Sequence, residues 1–349
     1  MKLASLEIIS EIKDHPNADR LSLAKVLGWQ TIVKKGEFNV GDKIVFVVID
    51  TILPNAPWSE FLVDPKNPDK PIRLRTVKLR GEYSQGLVLP LSVLSGNSFN
   101  ASDWQIGADV GAELGVKKYE KEIPASLSGE IAGSFPAYIV SQTDEDNGLS
   151  NPDLVAEVLK HPITVTKKYD GSSCTIVIDK GEITHVCSRR LSLKESASNA
   201  FWHVARKLTI PKNFTGVIQG ECMGPGIQGN QLKLMEATLC VYQILISESY
   251  EVEEDSIWDN GYLTWGQMSW FCRKTLNCNY VPLLEYFTPD HGITLDDLIQ
   301  LADSQTLDNE IDDKGIPAEG IVVRPSDYRA SGIGRPLGFK VINRNFKDL

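Results

Sequence analysis

Short apolar runs bounded by turn residues recur through roughly the first 110 residues and read as strands of an all-β region. Lys43-Ile44-Val45-Phe46-Val47-Val48-Ile49 is one such run, bounded by the turn residues Asn39 to Asp42. Pro, Asn and Asp crowd positions 53–71, which read as a long loop. The strand-like segment after it carries Arg73, Arg75, Lys78 and Arg80. Its side-chain parity changes near Thr76, so a bulge or break is expected there. The pattern weakens across 104–134. Beyond it, apolar runs predict strands over 163–167, 174–179, 183–188, 217–221, 239–246, 320–324 and 337–342. Ala197, Ala200, Phe201, Val204 and Leu208 have helical spacing and predict a helix over 193–208. Thr294 with Asp297 predicts a capping box at the start of another.

These patterns describe an α+β chain of two domains, a division that 349 residues accommodate. Residues 1–115 are expected to form an OB-like β-barrel, 116–134 a linker, and 135–349 a second domain of antiparallel sheets with flanking helices. No apolar run is long enough to cross a membrane. Met1 to Glu7 lacks the apolar core of a signal peptide, so an intracellular, cytoplasmic protein is expected. The net charge of −10 argues against a protein that coats nucleic acid non-specifically, but leaves room for a local basic groove. Six cysteines without a C-x-x-C pair read as free thiols, and the histidines are too scattered for a zinc site.

The strongest chemical signal is Lys168-Tyr169-Asp170-Gly171-Ser172-Ser173. A lysine amine attacks phosphorus only when neutral, so such a site must depress its pKa by burial or nearby cations. The neighbouring Lys167 should point to the opposite face of the strand. The hexapeptide alone fits a surface hairpin with Asp-Gly as its turn equally well. Gly224-Pro225-Gly226-Ile227-Gln228-Gly229 matches G-x-G-x-x-G, yet Pro225 and the polar residues after it do not look like the helix that a dinucleotide site needs.

Further segments follow the lysine in order: Ser188-Arg189-Arg190, Gln219-Gly220-Glu221, Val241-Tyr242, Glu319-Gly320-Ile321-Val322-Val323-Arg324, and Gly338-Phe339-Lys340-Val341-Ile342-Asn343. As an ordered set they resemble the motifs of covalent nucleotidyltransferases: DNA ligases, RNA ligases and capping enzymes. The N-terminal stretches Lys2 to Ile8, His15-Pro16-Asn17-Ala18-Asp19-Arg20-Leu21 and Val26-Leu27-Gly28-Trp29 narrow the likeness. So do Arg75-Thr76-Val77-Lys78-Leu79-Arg80-Gly81 and Phe135 to Glu145. They resemble the fifth RNA ligase family, the Naegleria and Deinococcus type, whose OB module precedes the catalytic domain. DNA ligases and capping enzymes usually carry that module after it.

The resemblance implies an ATP-dependent RNA ligase working through a lysyl-adenylate on Lys168. It implies ATP or AMP binding by Lys168, Asp170, Gly171, Arg189, Glu221, Tyr242, Glu319 and Lys340. Tyr242 would stack on adenine, with its ring and not its hydroxyl at work. Mg²⁺ or Mn²⁺ would be held by Glu221 and Glu319 through water. The implied partner is nucleic acid with a 3′-OH and a 5′-phosphate, as a nicked duplex or RNA ends, and the protein is expected to be a monomer. Lys34, Lys35, Arg73, Arg75, Lys78 and Arg80 are the cations available for gripping it, or they are simply solvated strand faces. Two positions depart from the family pattern. Lys340 lacks the usual partner of a K-x-K pair, and no arginine follows Thr143-Asp144-Glu145 closely. A capping-type guanylyltransferase and a non-catalytic OB-fold nucleic-acid-binding protein are the rival readings.

Overall fold

Short strands joined by tight turns pair with their sequence neighbours, so antiparallel pairing dominates. The computed structural model describes residues 2–94, 105–119, 130–252, 256–259, 261–288, 290, 292–307, 315–326 and 336–347. Part of the expected linker, 120–129, lies outside them. The chain divides into two compact units, residues 1–122 with 148–152, and 123–147 with 153–349.

In the first unit, Ala4–Ile8 and Leu87–Pro90 flank Lys43–Val47. Glu11–Asp14, Leu21–Val26 and Trp29–Lys34 form a meander. Leu6, Val45, Val47, Leu53, Leu74, Leu89 and Leu94 bury their side chains together with Val110 and Leu114. The expected break near Thr76 is present: Ile72–Arg73 pairs with Thr51–Leu53, whereas Val77–Leu79 pairs with Glu82–Ser84. Arg80 and Gly81 turn this hairpin with φ of 48° and 98°, the left-handed pair that suits a two-residue loop. His15 fixes it in place. Its Nδ1 accepts from the Asn17 amide at 3.1 Å, so its Nε2 carries the proton and donates to the Leu79 carbonyl, also at 3.1 Å. Asn17 Nδ2 donates to the Arg80 carbonyl at 2.9 Å.

The two ends of the expected linker are strands. Lys117–Lys118 pairs with Thr51–Leu53 in the first unit, and Ile131–Ser134 pairs with Leu191–Leu193 in the second. Residues 148–152 also return to the first unit, where Gly28 N donates to Leu149 O at 2.9 Å and Trp29 Nε1 to Ser150 Oγ at 3.2 Å.

The second unit is built on two sheets. The larger runs in the order Ile131–Ser134, Leu191–Leu193, Glu182–Cys187, Ser172–Asp179, Gly216–Met223, Thr238–Ile246, Gly261–Tyr262. The smaller runs Asp146–Asn147, Phe339–Ile342, Gly320–Pro325, Ile163–Lys168, Leu283–Phe287. Helix Leu295–Ser304 packs on the smaller sheet and opens with the expected Thr294–Asp297 capping box. The helix expected over 193–208 is shorter, Ala200–Arg206, because Asn199 caps it by accepting from the amides of Phe201 and Trp202. Leu191–Leu193 is a strand instead. After Gly224 the chain makes turns rather than a helix, which removes the dinucleotide motif. The six cysteines are free thiols. Among the described residues, no helix is long and apolar enough to cross a membrane.

Candidate active site

Strand alternation gives the smaller sheet two unlike faces. Ile163, Val165, Ile321, Val323, Phe339 and Val341 point to one, and all are fully buried. Each such side chain contributes about 1.5–3 kcal/mol on burial. Lys168, Arg324 and Lys340 lie on the other, because Lys168 pairs with Gly320 and Val322 with Lys340. The Lys168 strand and the Ser172 strand belong to different sheets, so residues 169–171 are a crossing between sheets and the surface-hairpin reading fails. That crossing is tight. A Cβ on Gly171 would lie 2.6 Å from the Cys222 carbonyl oxygen and 2.8 Å from Glu221 Cγ, and one on Gly320 would lie 2.1 Å from the Val341 carbonyl oxygen.

Acidic residues surround the lysine. Lys168 Nζ lies 2.5 Å from Glu319 Oε2, both side chains about one-fifth exposed. Burial pulls the lysine pKa down, but the Glu319, Glu221 and Glu145 carboxylates outweigh it and hold the pKa above its ordinary value. This departs from the expected depression: the converging carboxylates favour the ammonium form. Glu221 shows the converse strain. Burial pushes its pKa up to about 8; Lys168 lowers it, while Glu319, Asp170 and Glu145 raise it further. Burial also raises Glu145, but the Arg324 guanidinium beside it, with Lys340, brings it below its usual value.

On the larger sheet, Ser173 pairs with Glu221, so the two share a face. Tyr242 joins them through a register shift. Gln219 opposes Gln243 and Gly220 opposes Val241, which leaves Tyr242 as the extra residue of a β-bulge. Its hydroxyl donates to Thr143 Oγ1 at 2.7 Å and meets Ser173 Oγ at 3.1 Å, while Thr143 and Ser173 are 2.7 Å apart. Arg324 Nη1 donates to the Tyr242 carbonyl at 3.0 Å. Asp144 gathers two cations, Arg189 Nη2 at 2.6 Å from its Oδ2 and Lys340 Nζ at 3.3 Å from its Oδ1.

The structure thus brings together Lys168, Asp170, Gly171, Glu221, Glu319, Lys340, Arg189 and Tyr242. Thr143, Asp144, Glu145, Ser173 and Arg324 are further members. Ser173 and Arg324 end motifs already quoted, and the polar run 141–147 after the apolar 135–140 was the available signal for the other three, but nothing local said which groups it would meet. The N-terminal cations divide. Arg73 is bound to Asp50 at 2.6 Å and lies 3.6 Å over the Tyr119 ring, and Lys35 is paired with Asp14 at 2.8 Å. Lys34, Arg75, Lys78 and Arg80 are exposed, with Lys78 Nζ 4.8 Å from the Tyr83 ring centre. Among the described residues no three acidic, histidine or cysteine side chains form a metal cage. Two carboxylates that bind a cation through its waters need no such cage, and the raised Glu221 pKa marks a place where added positive charge would be favourable.

Residues 3–91 match the model of an OB-fold domain, and 161–342 match that of RNA ligase. No match is found among curated proteins. Solved structures of Naegleria gruberi RNA ligase resemble the whole chain. A mutant with AMP and Mn is 30% identical with a TM-score of 0.75, covering 98% of this chain and 97% of that one. A mutant with ATP and Mn is 31% identical with a TM-score of 0.76 over the same shares. An apo mutant is likewise 31% identical, with a TM-score of 0.75.

Proposed function

The chain belongs to the RNA ligase family, and from that premise we propose that it seals a 3′-OH to a 5′-phosphate with ATP, carrying AMP on Lys168. The observation that carries the reading is the Lys168 amine at the crossing between two sheets, 2.5 Å from Glu319 and on one face with Lys340 and Arg324. In the first step, Nζ bonds to the α-phosphorus and the bond to the β-phosphate oxygen breaks, releasing pyrophosphate. The ammonium must first lose a proton, and Glu319 Oε2 is the acceptor in reach. Next, a 5′-phosphate oxygen attacks the AMP phosphorus and Lys168 recovers its nitrogen. The 3′-OH then attacks the activated 5′-phosphate, and AMP leaves.

Charge accumulates on the phosphate oxygens during each displacement, so fixed cations are the main catalytic requirement. Lys340 and Arg189 are suited to that task, and the phosphate replaces Asp144 as their counter-ion. The Tyr242 ring receives adenine. Asp170 and Gly171 shape the nucleotide pocket. Glu221 and Glu319 would hold Mg²⁺ or Mn²⁺ through its waters, and the ion would supply positive charge to offset the phosphate charge and the carboxylate field on Lys168. A nicked duplex with RNA on the 3′-OH side is the substrate, gripped in part by Lys34, Arg75, Lys78 and Arg80 of the OB-fold unit. Free thiols fit a cytoplasmic site of action. Single-turnover labelling with α-labelled ATP and GTP tests the reading. Covalent label from ATP alone supports it. Label from GTP alone would make the transferred group guanylyl, and none from either would overturn Lys168 as a nucleotide carrier.

A further inference from the structure

Lys167 is the anomaly of the Lys168 strand. It lies on the apolar face with Ile163 and Val165, is 7% exposed, and donates from Nζ to the Thr306 carbonyl at 2.8 Å. The acceptor shows what the lysine holds. Thr306 follows helix Leu295–Ser304, whose end is tied down on several sides. Gln305, the residue before it, accepts at its carbonyl from Ala318 N at 3.0 Å and from Asn343 Nδ2 at 3.1 Å. Asn343 is 1% exposed, and its amide donates to the Glu319 carbonyl at 2.9 Å. Arg344 then grips the Asp303 carboxylate at 2.6 and 2.8 Å. Two adjacent carbonyls therefore hold the neighbour of Lys168, the neighbour of Glu319, and the residue three beyond Lys340.

We infer that the Gln305 and Thr306 carbonyls form a clamp behind the sheet that fixes Lys168, Glu319 and Lys340 relative to one another, with Lys167 and Asn343 as its positioning residues. The inference rests on the reading of Lys168 as the AMP carrier. The clamp touches neither ATP nor the reacting atoms, so it governs the geometry of attack and not nucleotide affinity. A misplacement of about 1 Å costs on the order of 100-fold in rate.

The test measures single-turnover lysyl-adenylate formation across ATP concentrations for the full chain and for Lys167→Met, Lys167→Arg, Asn343→Ala and the Lys167→Met/Asn343→Ala pair, with peptide mapping of the adenylate. Lys167→Met is expected to slow the saturated rate about 10–100-fold with KM for ATP changed less than about threefold. Lys167→Arg, which keeps a donor, should recover part of the rate. The double variant should lose less than the product of the single losses, since both residues act on one clamp. A Lys167→Met or Asn343→Ala rate within twofold of the unaltered protein overturns the clamp, as does a loss confined to KM. Simple multiplication of the two losses overturns it too. Should Lys167→Met fold poorly, Asn343→Ala alone decides, because it leaves the buried lysine in place. Adenylate mapped to Lys167 would instead sink the reading of Lys168, a separate outcome.

Discussion

In the OB-fold unit, Arg75, Lys78 and Arg80 stand exposed on and beside one short hairpin, whereas in the catalytic unit Lys168, Arg324 and Lys340 line one sheet face among Glu145, Glu221 and Glu319. Water and salt screen the first set, so each cation is worth little by itself and the group acts as a sum. The second set is poorly screened, and its charges shift the pKa of Lys168, Glu145 and Glu221. The proposed function gives the same side-chain types two purposes: additive grip on a polyanion in one unit, and a fixed electrostatic geometry in the other. Single substitutions should be decisive in the catalytic unit and shallow in the OB-fold unit.

The largest effect tests the catalytic side of that contrast. Lys168→Ala should lower lysyl-adenylate formation by at least about 1,000-fold, because no other group replaces a covalent nucleophile. Mass spectrometry after incubation with ATP reads this directly, and a surviving adenylate on the variant would break the comparison at its centre. Tyr242 comes next. Tyr242→Ala should weaken adenylation by about 10–100-fold, from loss of a stacking surface. The sequence alone would make Tyr242→Phe silent. The bonds to Thr143 and Ser173 predict instead a loss of about 5–10-fold, one buried hydrogen-bond network's worth. Titrating ATP against both variants separates ring from hydroxyl; a Phe variant equal to the parent would leave the network without a functional part.

The OB-fold unit should answer more weakly and only in sum. Changing Arg75, Lys78 and Arg80 together to Ala should reduce sealing of a pre-adenylated nick by about 10-fold and flatten the salt dependence of duplex binding by about two to three units of slope. Adenylation by ATP should stay within about twofold, since the first step needs no duplex. An unchanged salt slope would make the hairpin a solvated face. Arg73→Ala sharpens the point, because Arg73 is bound to Asp50 and Tyr119. It should leave the salt slope alone and lower the melting temperature by about 2–4 °C, the scale of about 1 kcal/mol in a domain of moderate size.

Much of the candidate site was legible along the chain because the proposed chemistry needs particular side chains at strand ends. Lys168, Glu221, Glu319 and Lys340 each sit at or near the edge of an apolar run, where alternation predicts the strand and its exit. Helix ends were less legible. Residues 193–199 carry helical apolar spacing, yet Asn199 captures the amides of Phe201 and Trp202 and starts the helix there. The basic N-terminal set was legible only as composition. Pairing separated Arg73 and Lys35, held by Asp50 and Asp14, from the exposed Arg75, Lys78 and Arg80, and those acidic partners are distant in sequence.

By itself, the sequence determined an α+β chain with a small all-β module first, the ordered motifs, and the lysine that carries them, since local periodicity and side-chain type are properties of short segments. Tertiary structure alone decided that residues 169–171 cross between sheets, that a bulge turns Tyr242 toward Ser173 and Thr143, and that 148–152 return to the first unit. It also raised the pKa of Lys168. A pKa in a buried cluster depends on which carboxylates converge from distant segments, and only folding brings Glu145, Glu221 and Glu319 to one amine.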